Sequence, residues 1–208
     1  MYMKRYKNCL FLDLGHGDMI DGRYTTAPSK MFKHGEKWFY EGVKNRDYGY
    51  IIKKKVEDKG INVVVVSSPF KDNSLYSRSF TANTYHENVQ RGIFVSEHSN
   101  ATGKHNAEGM VIYTSKGRTK SDKFATMFGN MYAKKFPNLR LLKNMKDGDL
   151  DFEADLHVLS KTKMPAILLE NRFFDNYKDY KLLMSEEYKE EYCQLVADWI
   201  EQCIIILE

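Results

Sequence analysis

The sequence predicts an α/β fold: a three-layer αβα sandwich with a mostly parallel, twisted sheet of about six strands flanked by helices. Three observations predict it. Apolar, β-branched runs of strand length alternate with longer helical patterns along the chain. The run Val63–Val66 lacks polar alternation, as expected of a parallel strand buried on both faces. Near the C-terminus, Tyr188, Tyr192, Leu195, Val196, Trp199, Ile200 and Cys203 form one apolar stripe at helical spacing, a face suited to covering a sheet.

In chain order, strands are expected near Asn8–Leu14, Ile61–Ser68, Ile93–His98, Met110–Thr114, Leu139–Leu142 and Ala166–Glu170. Helices fit Asn45–Lys59, Asn73–Gln90, Ser121–Phe136 and part of Asp151–Lys163. Ser185 caps the final helix, and Glu186 and Glu187 suit its positive N-terminal dipole. The longest irregular stretch is Asp18 to Gly42, which carries Trp38, Phe39 and Tyr40.

No repeat, low-complexity tract or Pro/Gly linker divides the 208 residues, so one domain spanning 1–208 is expected. A hydrophobic content of 42% with 29% charged residues belongs to a folded globular chain rather than a disordered one. Cys9, Cys193 and Cys203 are odd in number and lack metal-type spacing, which argues for reduced, packed thiols. After Met1–Lys7 the apolar stretch Cys9–Leu14 is too short for a signal-peptide core and contains Asp13, and no apolar run reaches the roughly 20 residues that span a bilayer. Synthesis in the cytoplasm without a signal peptide is therefore expected. Net charge is +4, but from Glu170 onward ten acids face four bases, leaving a basic body that would suit an anionic polymer such as cell-wall material or nucleic acid.

In open parallel sheets, ligands bind beyond the carboxyl ends of the strands. Three titratable groups fall there: His16 after the first strand, His98 at the end of the third, and Glu170 at the end of the last. The loop after the first strand adds Glu36 and Glu41 at the same edge. Two histidines and a carboxylate form a common catalytic zinc set, and a further carboxylate then serves as general base. Gly15 and Gly17 allow a left-handed turn and clear side chains from around the His16 ring. Asp13 is a candidate to orient His16 from behind. Glu97 points opposite to His98 by strand alternation, so it caps the strand or pairs with a base rather than ligating. His34, His86, His105 and His157 read as structural or solvated.

Asp13-Leu14-Gly15-His16-Gly17, then Glu41 with Asn45, then Ser96-Glu97-His98-Ser99-Asn100, then Pro165-Ala166-Ile167-Leu168-Leu169-Glu170 resemble, in order and spacing, the zinc-dependent N-acetylmuramoyl-L-alanine amidases of the third amidase family. Arg78 and Asp155–Leu159 also sit where that family has related segments. The resemblance covers residues 8 to 203. It implies Zn²⁺ held by His16, Glu41 and His98, with Glu170 as the catalytic carboxylate; Arg78 and Asn100, like Asp13, are further candidates either behind the ligands or in contact with substrate. It also implies a peptidoglycan hydrolase that cuts the amide between N-acetylmuramic acid and L-alanine of the stem peptide, such as a phage endolysin acting on the cell wall. Bacterial peptidoglycan is the expected partner, with no nucleic acid and no membrane, and the chain is expected to be a monomer. Two features depart from the family pattern: the long aromatic loop, with Asp18 in place of a further glycine, and Asn171-Arg172 after Glu170, where small residues are usual. The alternatives are a zinc carboxypeptidase-like amidohydrolase, disfavoured because no His-x-x-Glu stands at a strand end, and a non-catalytic wall-binding module.

Overall fold

The computed structural model describes residues 6–146 and 148–207. In chain order the elements are β1 (Tyr6–Leu14), β2 (Met19–Ile20), β3 (Arg23–Tyr24), β4 (Met31–His34), β5 (Lys37–Tyr40), α1 (Glu41–Asp58), β6 (Asn62–Val65), α2 (Leu75–His86), β7 (Val89–Asn100), β8 (Val111–Thr114), α3 (Lys120–Lys135), β9 (Phe152–Glu153), α4 (His157–Ser160), β10 (Ala166–Phe173), α5 (Tyr177–Leu183) and α6 (Glu186–Ile206). Six strands form one sheet in the order β6-β1-β7-β10-β8-β9. Neighbouring strands are parallel except for the antiparallel β10–β8 pair. The three-layer α/β fold follows.

The sheet's strand alternation divides the core in two. Leu10, Leu12, Ile93, Val95, Ile167 and Leu169 face α1, α3 and α6, with Trp199 fully buried among them and its indole donating to the Phe124 carbonyl at 2.9 Å. Cys9, Phe11, Phe94, Ala166 and Leu168 face α2 and α4 through Ala82, Val158 and Leu159. Fully burying each large apolar side chain stabilises the fold by about 1.5–3 kcal/mol. Ser185 caps α6 by accepting from the Tyr188 amide at 3.3 Å, and every member of the predicted stripe is buried. All three cysteines are buried free thiols. No described helix is long and apolar enough to cross a membrane.

Several elements differ from the sequence reading. The valine run is an edge strand rather than a doubly buried one: β6 pairs only with β1, and each of its residues is half-buried. The uninterrupted buried runs lie in β1, β7 and β10. Leu139–Leu142 contributes only a bridge from Leu141 to Met110, and the sixth place goes to β9. Within Asp151–Lys163 one turn of helix forms. Helix α1 begins at Glu41, four residues early, and β7 begins at Val89, where the preceding helix was expected to continue. The Asp18–Gly42 stretch folds into two hairpins, β2–β3 and β4–β5. Asp21-Gly22, with φ of 49° and 72°, turns the first, a signal present in the sequence.

Candidate metal centre

The carboxyl ends of β1, β7 and β10 lie side by side, because β7 pairs in parallel with both of the others. Strand order therefore brings residues far apart in sequence to one rim. His16 follows β1 in the left-handed region (φ 65°), whereas the flanking glycines do not take positive φ. The strain sits on the histidine itself. Gly15 is needed for space, since a Cβ there would lie 2.2 Å from the His98 ring. Arg46 donates to the His16 carbonyl at 2.8 Å and Asn45 donates to the Gly15 carbonyl at 3.1 Å, so α1 straps the turn in place.

Glu41, 1% exposed, is the first residue of α1, where the helix dipole favours an anion. Its Oε1 lies 3.3 Å from His16 Nε2 and 3.1 Å from His98 Nδ1, and it also accepts from the Ser99 amide at 3.2 Å. The two imidazoles meet edge-to-face with centroids 4.9 Å apart. One ligand atom from each of His16, Glu41 and His98 lies within 4.8 Å of the others, the only such trio of metal-ligating side chains among the described residues. Burial alone would raise the Glu41 carboxyl, but the adjacent His16 and His98 imidazoles outweigh it and bring it to about 2. The carboxylate is ionised at neutral pH, the form a cation requires.

Two buried atoms of this trio, His16 Nε2 and Glu41 Oε2, have no hydrogen-bond partner among the described residues. Orphaned buried polar atoms are costly in a folded protein. A divalent cation would satisfy them, and two imidazoles with one carboxylate match the ligand set of catalytic zinc with a fourth position open. The residues present fit the metal.

Glu170 lies directly across from His98 in the β7–β10 register, on the same side of the sheet. Its Oε2 is a further buried atom without a partner. Burial, the dominant influence, pushes its carboxyl up to about 7; Glu41 adds to the rise, while His98 and Lys30 oppose it. Glu36 is exposed in the turn between β4 and β5 and lies outside the trio, which separates it from its rival Glu41.

The positions around the centre divide differently from the sequence reading. Asp13 does not meet His16: one of its oxygens accepts from Arg78 at 2.8 Å and the other from Ser96 at 2.7 Å. The carboxylate beside the free side of His16 is Asp72, 3.7 Å from Nδ1, in the loop after β6. Asp72 is fixed by Arg78 and by Thr26, each at 2.8 Å. Arg78 is 2% exposed and braces Asp13 and Asp72 from below rather than opening onto a substrate. Asn100 stands at the end of β7 and turns its side chain back onto the Ala101 amide. Glu97 points to the opposite face, as alternation requires, and accepts from the Tyr192 hydroxyl at 3.0 Å; burial raises its carboxyl well above the usual range. His34 pins the β4–β5 hairpin to the Phe174 carbonyl at 2.8 Å.

Asp72 was missed because no spacing rule ties it to His16 across 56 positions; its only signal is its place after a strand on the binding edge. Arg172 was flagged only as a departure from the family pattern. A bulge follows Glu170, Arg172 takes φ of 72°, and its guanidinium turns into the core between Tyr132, Tyr188 and Asp179.

Comparison with known proteins gives the family and the fold. The sequence profile described as N-acetylmuramoyl-L-alanine amidase matches residues 10–202. The probable cell wall amidase LytH of Staphylococcus epidermidis is 25% identical over 193 residues, which cover 93% of this chain and 57% of that protein. The chain thus spans little more than half the length of this curated relative. Among solved structures, the N-acetylmuramoyl-L-alanine amidase of Clostridium difficile 630 superposes with a TM-score of 0.76 at 22% identity, covering 94% of this chain and 96% of that one. The catalytic domain of the CD27L endolysin, described as targeting Clostridia difficile, gives 0.67 at 17% identity, with 94% and 97% covered. This chain belongs to the N-acetylmuramoyl-L-alanine amidase family.

Proposed function

We propose that residues 1–208 form one catalytic domain that hydrolyses peptidoglycan at the amide joining the lactyl group of N-acetylmuramic acid to L-alanine of the stem peptide. The observation that carries this reading is the meeting of His16, Glu41 and His98 around orphaned ligand atoms, with Glu170 on the adjoining strand. His16, Glu41 and His98 would hold zinc, which when bound polarises the amide carbonyl and lowers the pKa of a water to about 7.

The remaining chemistry belongs to the chain. Glu170, with its carboxyl raised to about 7, is poised to accept a proton from the attacking water and hand it to the departing nitrogen of L-alanine. Asp72, 3.7 Å from His16 Nδ1, supplies a negative charge on the side of the ring away from Glu41. Arg46 and Asn45 keep the His16 turn from relaxing out of its left-handed conformation. A phage lytic role is the finer reading, supported by the likeness to a domain described as that of an endolysin; the domain is taken to act as a monomer on the cell wall.

Digestion of purified peptidoglycan, read by mass spectrometry of the products, tests the reading. New L-alanine amino termini without new reducing sugar ends are expected, and chelation should abolish turnover until zinc is restored. New reducing ends, or turnover indifferent to chelator, would overturn it.

A further inference from the structure

The β4–β5 hairpin belongs to the stretch that departs from the family pattern, and its two faces differ. Antiparallel pairing puts Phe32, His34 and Phe39 on one face and Met31, Lys33, Trp38 and Tyr40 on the other. The first face is anchored: Phe39 is buried and stacks on Phe174 with centroids 5.2 Å apart, and His34 meets the Phe174 carbonyl at 2.8 Å. The second face is open. Trp38 is 47% exposed, its ring lies nearly parallel to that of Tyr40 (20°, centroids 6.1 Å apart), and the Lys33 ammonium is 5.8 Å from the indole centroid. Beside this ledge runs a groove of about 510 Å³ lined by Ala27, Pro28, Met31, Phe32, Lys33 and Trp38, none of them acidic. Its inner end abuts the metal centre through both strands of the hairpin. Lys30, just before Met31, accepts from the Glu41 amide at 2.9 Å through its carbonyl, and Tyr40 directly precedes Glu41. Tyr24 packs on the Tyr40 ring at 5.0 Å while its hydroxyl accepts from the Gly42 amide at 2.9 Å. At about 3.4 Å per strand residue, Trp38 stands about 10 Å along the chain from Glu41.

We propose that this ledge is a subsite for the glycan strand, with Trp38 stacking on the apolar face of an N-acetylhexosamine ring beyond the muramic acid whose amide is cut. A pyranose presents C–H bonds on its faces and hydroxyl and acetyl oxygens around its edge. A flat, exposed indole suits the first and a neighbouring ammonium the second. A stem peptide bearing free carboxylates would find a single cation among the lining residues. A stable protein partner would need about 800 Å² of surface on this side, far more than two ring faces offer. The inference rests on the amidase reading and extends it: the domain recognises the polymer as well as the bond, so a strand of several sugars is a better substrate than a lone muramyl peptide.

Trp199 is fully buried, so of the chain's two tryptophans only Trp38 can report a ligand at the surface. Titration of the zinc-loaded protein with a peptide-free tetramer of β-1,4-linked N-acetylglucosamine should shift the tryptophan emission to shorter wavelength and saturate. Calorimetry with the same tetramer should show binding lost in Trp38→Ala and largely kept in Trp38→Phe. In turnover, a glycan strand carrying tripeptides should be cut with a kcat/KM per peptide about 10-fold higher than the matching muramyl tripeptide, chiefly through KM, and Trp38→Ala should bring that ratio close to one. Failure of the wild type to bind the tetramer, or a ratio unchanged in Trp38→Ala, overturns the inference; an unchanged ratio with both rates lowered would mean that the hairpin serves only to hold Glu41. A wild type that binds the tetramer and cuts neither substrate overturns the amidase reading and leaves the glycan subsite standing.

Discussion

Two buried polar clusters flank the end of β10, and they are built on opposite principles. On the side facing the α6 layer, Arg172 meets Asp179 at 3.2 Å and the hydroxyls of Tyr132 and Tyr188, while Asp179 also accepts from the Gly109 and Phe173 amides. Nothing in that cluster appears among the orphaned buried atoms. On the other side, His16, Glu41 and Glu170 each keep one buried atom without a partner. A satisfied network rigidifies the fold, whereas an unsatisfied one is tolerated only where something else completes it. The contrast separates structure from chemistry within a few residues of one strand.

The largest effect should come from the unsatisfied side. Glu170→Gln is expected to lower turnover about 10²- to 10⁴-fold while leaving bound zinc unchanged; near-normal turnover in this variant would place the proton carrier elsewhere and blur the contrast. The satisfied side should answer in stability instead. Arg172→Met leaves Asp179 buried and uncompensated, and denaturant unfolding should show a loss of about 3–5 kcal/mol. Zinc stoichiometry of the fraction that remains folded should not change.

A smaller effect belongs to Asp72, on the solvent side of the metal centre. Asp72→Asn should weaken zinc binding about 10- to 100-fold, read by competition with a chelator, because His16 loses the carboxylate charge 3.7 Å from its Nδ1. A third polar pair sharpens the comparison by pH. Burial pushes Asp151 from an ordinary 3.8 up to about 7, with Asp149 adding to the rise and Thr114 opposing it. An acid raised in the folded state contributes stability that is full below 3.8 and lost as pH climbs through about 7. Asp151→Asn should therefore gain on the wild type as pH rises from 4 to 7, and parallel stability curves would show that Asp151 does not titrate in this way. Ser185→Ala, which meets the satisfied cluster only through the backbone amide of Tyr188, should cost about 1 kcal/mol of stability with no change in zinc content.

The sequence made the binding edge legible because parallel topology turns the question of where a site lies into the question of what ends each strand. His16, His98 and Glu170 answer it. Glu41 was within reach because the loop after the first strand opens on the same edge, and the family resemblance singled it out from Glu36. Residues joined by packing rather than by pattern were not legible. The valine run looked like a central strand because periodicity reports apolarity and not neighbours, and β6 has one neighbour. Asp13 looked like the partner of His16 because it is close in sequence, yet Arg78, 65 positions away, holds it. The left-handed φ of Arg172 and the turn of its guanidinium into the core follow from a bulge, which no spacing announces.

The central claim is that two imidazoles and one buried carboxylate close on a single metal ion. Calorimetric titration of zinc into metal-free protein tests it directly. The account predicts one equivalent per chain, retained in Glu36→Gln and in Glu170→Gln and lost in His16→Ala, Glu41→Ala and His98→Ala. Undiminished binding in any of the last three, or loss of binding in Glu36→Gln, would contradict it.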